Sequence, residues 1–176
     1  TWEVAARPRE QDLLLRLADV RASADWDTLT CLPFIQVSPY SYQQAAAIRV
    51  MRDMGGRALL ADDVGLGKTI EAGLILREYI TRGLVKTALL ICPPGVLIDQ
   101  FGEELREHFG LEFKRYVGKE GDSDGKHNTV GIRTIGNAKF VAVSSWYISR
   151  KDHVDAIKQR TTPWDILIVD ECHNFK

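Results

Sequence analysis

Apolar residues along this chain fall into short continuous runs and into runs spaced by three or four positions. The continuous or weakly alternating stretches lie near 57–61, 87–92, 112–117, 139–144 and 165–170. Runs of that length, bounded by glycine or polar residues, predict buried strands. Between them the spacing becomes helical. Ala47, Val50, Met51 and Met54 share one face, and Ile70, Leu74 and Ile75 predict a helix over 68–81 that Gly83 ends. Leu97, Ile98, Phe101, Leu105 and Phe109 give a third apolar face. Leu13, Leu14, Leu17 and Val20 mark an amphipathic helix over 10–22, and Ser149 or Asp152 can cap a short helix reaching Arg160. Strands that alternate with helices in this way demand an α/β fold, a parallel sheet with helices on both faces.

Chemistry enters at two of these strands. Residues 58–73 read A-L-L-A-D-D-V-G-L-G-K-T-I-E-A-G: strand, glycine loop, helix. That is the context of a phosphate-binding P-loop. Glycines let the backbone approach phosphates, and loop N–H groups with the positive helix end face anionic oxygens. Lys68 supplies a point charge for phosphate oxygens, and the Thr69 hydroxyl can ligate magnesium. The general pattern G-x-x-x-x-G-K-[ST] places a glycine at position 62, where this chain has Asp62. Residues 165–173 read D-I-L-I-V-D-E-C-H, so an acidic pair ends a strand where open α/β sheets bind ligands. Asp170 is suited to hold magnesium and Glu171 to polarise an attacking water. Upstream, Ser41 and Gln44 form an S-x-x-Q capping box that leaves Gln43 free in the first turn of the helix over 41–54.

The spelling D-D-V-G-L-G-K-T-I-E-A-G resembles motif I of Swi/Snf-type ATPases of helicase superfamily 2, nearest their RapA-like branch. D-E-C-H is similar to the D-E-x-H box of that superfamily, P-Y-S-Y-Q to its Q motif and L-L-I-C-P-P-G-V-L-I-D-Q-F to its motif Ia. Ser144 and Ser145 match the small hydroxyl residues of motif Ib. The resemblance covers residues 38–176, with residues 1–37 a helical lead-in. It implies a RecA-like P-loop domain that uses ATP and magnesium. By the same resemblance, Asp62, Val64, Gly65, Leu66, Gly67, Lys68, Thr69 and Ile70 contact the nucleotide, and Thr69 and Asp170 hold magnesium. Lys68, Asp170 and Glu171 are catalytic, and His173 couples the nucleotide site to the rest of the enzyme. Gln43 reads adenine, as an amide can, with Tyr40 or Tyr42 near the base. Pro93, Pro94, Gly95, Ser144 and Ser145 face nucleic acid. The family continues into motif III and a second RecA-like lobe carrying a catalytic arginine, so this stretch alone is expected to bind ATP weakly and hydrolyse it very slowly.

The function so implied is ATP-driven movement on nucleic acid, with double-stranded DNA as the expected track. A strand-separating RNA or DNA helicase and a non-catalytic nucleotide-binding scaffold are the alternatives. Intact Lys68, Thr69, Asp170 and Glu171 speak against the scaffold. The 176 residues suffice for one domain with a core. A net charge of −1 excludes a polybasic nucleic-acid binder. The stretch 112–160 is nonetheless net basic and 61–111 net acidic, compatible with one face meeting a phosphate backbone. Cys31, Cys92 and Cys172 form no C-x-x-C, and the histidines lack ligand spacing, so neither zinc nor a disulfide framework is expected. The polar, glycine-rich stretch 118–128 reads as a loop, and Trp146 and Trp164 read as packing residues. No apolar run reaches membrane-spanning length and no signal pattern opens the chain, so the expected location is the cytoplasm or the nucleoid.

Overall fold

A computed structural model describes residues 26–63, 65–118, 129–131 and 134–174. The helix expected over 10–22, most of the loop over 118–128, and Val64 lie outside the described residues. Five strands form one sheet: β1 (Ala88–Cys92), β2 (Lys114–Tyr116), β3 (Thr129–Val130), β4 (Phe140–Ser144) and β5 (Ile166–Val169). Their order is β3-β2-β4-β1-β5, and every neighbouring pair is parallel. The helices are α1 (Ser41–Arg52), α2 (Lys68–Thr81), α3 (Val96–Phe109), α4 (Ser145–Ile148) and α5 (Lys151–Lys158).

The alternation of β1 sorts the core into two layers. Ala88, Leu90 and Cys92 point to one side, where they join Val50 and Met51 of α1, Leu74 and Leu76 of α2, and Ile98 and Leu105 of α3. Leu89 and Ile91 point to the other, against Tyr116, Val141, Val143 and Ile157. The sheet with helices on both faces is therefore as expected. Because the strands are parallel, their C-terminal ends share one edge: Cys92 pairs with Ser144, and Ile91 with Val169.

Several local expectations are overturned. Residues 57–61 form no strand, and Leu59 is 72% exposed. A strand needs a neighbouring backbone to accept its hydrogen bonds, and no described strand lies beside this segment. It instead walls a groove whose other wall is β5. β5 closes the described sheet on that side, so its apolar run is covered on one face only. Ile166 and Ile168 pack on the core while Leu167 is 56% exposed. The short β3 carries no sequence pattern that predicts it. Leu97 is exposed on α3 rather than part of its buried face. Neither Ser149 nor Asp152 caps α5, whose N-cap is Arg150 with no side-chain cap. Trp146 stands exposed, with the Arg150 guanidinium 3.7 Å from its ring centre, whereas Trp164 is partly buried.

Helix α2 carries the P-loop residues at its start, and its far end is anchored by Glu78. This carboxylate is fully buried. It accepts hydrogen bonds from Thr30 N (3.0 Å), Thr30 Oγ1 (2.8 Å) and Cys31 N (2.7 Å), and pairs with the Arg82 guanidinium. Burial by itself raises its pKa. The N–H and O–H donors and Arg82 outweigh that and hold it below the ordinary glutamate value. Nearby, Gly73 lies where any Cβ would meet the Phe109 ring at 2.2 Å, and Phe109 is fully buried.

Two outcomes follow for equilibrium unfolding. Glu78→Ala removes the buried acceptor shared by Thr30 N, Cys31 N and the Arg82 guanidinium and should cost about 3–5 kcal/mol. In the unsubstituted domain, a lowered carboxylate pKa makes Glu78 stabilising above its unfolded value, a contribution that is lost as pH falls through the lower folded value. Gly73→Ala gains about 1 kcal/mol in helix propensity. It must also displace the fully buried Phe109 ring, a cost of about 1–3 kcal/mol, so the net change should be a loss. A more stable Gly73→Ala variant in urea titration would show that Phe109 can move.

Candidate functional site

Helix α1 starts one residue earlier than its S-x-x-Q pattern suggests. Tyr40, with extended backbone, is the N-cap, which makes Gln43 the third helical residue. Tyr40 N donates to Gln43 Oε1 (2.9 Å), while Gln44 Nε2 donates to Pro39 O (3.0 Å). The expected Ser41–Gln44 box is thus replaced, and Gln43 is not free. Its Nε2 donates to Leu66 O (3.2 Å), and the side chain is 4% exposed beneath the glycine loop. The Tyr42 hydroxyl donates to the same Leu66 carbonyl (2.8 Å). The exposed rings of Tyr40 and Tyr42 stack 5.7 Å apart.

The loop itself needs its glycines. Gly65 and Gly67 have φ of +90° and +83°, a region other residues adopt at a cost. A Cβ on Gly67 would also meet Gln43 Nε2 at 2.5 Å. Gly67 is the N-cap of α2, and its carbonyl accepts from Ile70 N and Glu71 N. Lys68 folds back on the loop, donating to Asp62 O (2.8 Å) and Asp63 O (3.1 Å). Its ammonium thus ties the segment before the glycines to the first residue of α2. Glu71, one turn into α2, is fully buried and neither carboxyl oxygen is hydrogen-bonded. Burial, then the neighbouring Asp62 carboxyl, pushes its pKa up to about 7, against the pull of Lys68.

The acidic strand end comes to the same place. Asp170 N donates to Ile91 O (2.8 Å), which extends the β1–β5 ladder by one residue. Glu171 then turns out of the strand with φ +50°, the one positive φ outside glycine among the described residues. Its N–H donates to Asp170 Oδ1 (2.9 Å), and its Oε2 lies 3.2 Å from His173 Nδ1. Burial raises the Asp170 pKa, and the Glu171 charge adds to this. The Glu171 N–H and Lys68 oppose it.

A single groove of about 610 Å³ is lined by Gly65, Gly67, Lys68 and Thr69 on one side and Asp170, Glu171 and His173 on the other. Residues a hundred positions apart thus meet across it. Asp62 presents its carbonyl to Lys68, and Leu66 and Ile70 belong to the loop and the first turn of α2. Gln43 lies under the loop rather than on the groove. Pro93, Pro94 and Gly95 follow β1, Ser144 ends β4 beside them and Ser145 starts α4, all outside the groove lining. The Ser144 hydroxyl accepts from Trp146 N (3.3 Å) and caps α4. The sequence offered no sign of the Tyr42–Leu66 contact, nor that Lys68 would bond the loop's own carbonyls.

These features suit a magnesium nucleotide. The glycine loop leaves backbone N–H groups without side chains in the way, and a cation stands at its centre. Magnesium binds through one or two protein ligands plus phosphates and waters, and the Thr69 hydroxyl and Asp170 carboxylate, both on the groove, are oxygen donors of that kind.

Comparison with known proteins agrees. The family described as SNF2-related domain matches residues 42–176. The uncharacterized ATP-dependent helicase YqhH of Bacillus subtilis (strain 168) is 36% identical over 143 residues, which cover 79% of this chain and 22% of that protein. The RNA polymerase-associated protein RapA of Actinobacillus pleuropneumoniae serotype 3 (strain JL03) is 33% identical over 149 residues, 81% of this chain and 15% of that protein. The chain therefore spans under a quarter of the length of these relatives. Among solved structures, the Sulfolobus solfataricus SWI2/SNF2 ATPase core in complex with dsDNA gives a TM-score of 0.58 at 23% identity, covering 80% of this chain and 27% of that one. The UvsW helicase from bacteriophage T4 gives 0.55 at 20% identity, covering 80% and 45%. Those two likenesses concern the fold alone. With the family match spanning more than half its residues, the chain belongs to the SNF2-related domain family.

Proposed function

We propose that this chain is the ATP-binding lobe of an ATP-dependent translocase that moves on nucleic acid, with double-stranded DNA as its track. The observation that carries the reading is the groove where Lys68 and Thr69 face Asp170 and Glu171. Phosphoryl transfer needs charge stabilisation and a positioned water more than covalent chemistry. Lys68 releases the carbonyls of Asp62 and Asp63 and takes phosphate oxygens in their place. The N–H groups around Gly65 and Gly67 fill the remaining acceptor positions. Glu171 orients the water, and His173 beside its carboxylate sets the direction of that side chain. Magnesium, held by the Thr69 hydroxyl and Asp170, would neutralise charge on the phosphates. The duplex as track is supported by the similar structure solved in complex with dsDNA, and on this reading Pro93, Pro94, Gly95, Ser144 and Ser145 would face its backbone. A second RecA-like lobe of the same polypeptide completes catalysis.

In the full-length protein, Glu171→Gln should lower DNA-stimulated ATP hydrolysis by about 10²-fold or more while leaving ATP binding within a few fold. Lys68→Ala should weaken ATP binding itself. Phosphate release with duplex DNA, single-stranded DNA and RNA as stimulants checks both the chemistry and the track. Undiminished turnover in Glu171→Gln would sink the catalytic assignment, and stimulation by RNA alone would sink the duplex.

A further inference from the structure

The carbonyl of Leu66 accepts two side-chain hydrogen bonds, one from the Tyr42 hydroxyl and one from the Gln43 amide. Both donors come from the first turn of α1, and the acceptor lies in the glycine loop at the start of α2. A peptide unit is planar and trans, so its carbonyl and the following N–H point in opposite directions. Fixing Leu66 O toward α1 therefore fixes the Gly67 N–H toward the groove. Gly67 is the N-cap of α2, and as a glycine it has no Cβ to restrict that peptide plane.

We infer that Tyr42 is a positioning residue for the phosphate cradle, distinct in role from Gln43 beside it. This rests on the nucleotide reading above. Gln43 has both ends of its amide engaged, Oε1 by Tyr40 N and Nε2 by Leu66 O. Each end keeps one further hydrogen-bonding site, but the residue is 4% exposed beneath the loop, so a base is met only when the side chain moves off Leu66 O. The Tyr42 hydroxyl, at 2.8 Å, then remains as the donor that keeps the Leu66–Gly67 peptide in place. Stacking of the Tyr42 ring on Tyr40 fixes where that hydroxyl stands. Base recognition is thereby separated from phosphate recognition: the glutamine is free to change partners while the cradle keeps its shape.

The test uses the full-length protein and its Tyr42→Phe and Gln43→Ala variants. Calorimetry measures affinity for ATP, GTP and inorganic tripolyphosphate, each with magnesium. Tyr42→Phe keeps the ring and removes only the hydroxyl. Loss of one hydrogen bond should weaken ATP and tripolyphosphate alike by about fivefold, with the ATP-to-GTP preference unchanged. Gln43→Ala should erase that preference. The fitted stoichiometry reports the competent fraction, so partial unfolding is not mistaken for weaker binding. The inference is overturned if Tyr42→Phe leaves tripolyphosphate affinity unchanged, or if it abolishes base preference as Gln43→Ala does. Unsubstituted protein that binds none of the three ligands would overturn the nucleotide reading itself.

Discussion

Helix α2 is anchored at its far end by the buried Glu78 carboxylate. A charge removed from water is tolerable only when its lone pairs are filled. Here Thr30, Cys31 and Arg82 fill them, which ties the segment before α1 to the far end of the P-loop helix. With that end immobile, small movements of the chain near Gly67 cannot be absorbed by sliding the helix. They must be taken up in the loop. Gly73 tightens the same constraint by letting Phe109 of α3 lie directly on the helix backbone. The site is thus built at the free end of a rigid rod, opposite a strand whose position the sheet fixes.

Much of this was legible in the sequence. The 3.6-residue periodicities of α2 and of most of α3, and the apolar runs of β1 and β4, reflect burial that those elements achieve within the described residues. The two chemical motifs were legible for a different reason: glycine, lysine and adjacent acids at a strand end are spelled by the chemistry itself. What failed was pairing. An apolar run tells that a segment wants company, not which strand supplies it. Residues 57–61 have the composition of a strand without a described neighbour, and β5 has the composition of an interior strand while closing an edge. Burial on both faces is a property of the sheet, not of the residues in one strand.

The fine structure of the site was hidden for a third reason. Both Gln43 and Gln44 can close a capping box, and the choice depends on whether Tyr40 or Ser41 leaves the helical region first. That is decided by the extended path through Pro39, a matter of backbone entry angle. Once Tyr40 is the cap, Gln43 turns inward and Gln44 outward, and the amide under the loop follows without further cause. Glu71 shows the same dependence. Its place in the helix was clear, but the push that Asp62 adds to its raised pKa depends on where Asp62 runs in a segment with no regular structure.

The turn at Glu171 has a consequence for how substitutions there would be understood. Its left-handed backbone is unfavourable for a residue with a Cβ and is held by the bond from its own N–H to Asp170 Oδ1. Asp170 therefore has two occupations, one through its charge and one through a single neutral-capable oxygen. Asparagine retains the second and abolishes the first, whereas alanine abolishes both and lets the Glu171 carboxylate drift. The two variants are not degrees of one defect. The gap between them would measure how much of the acid pair's work is geometry rather than electrostatics.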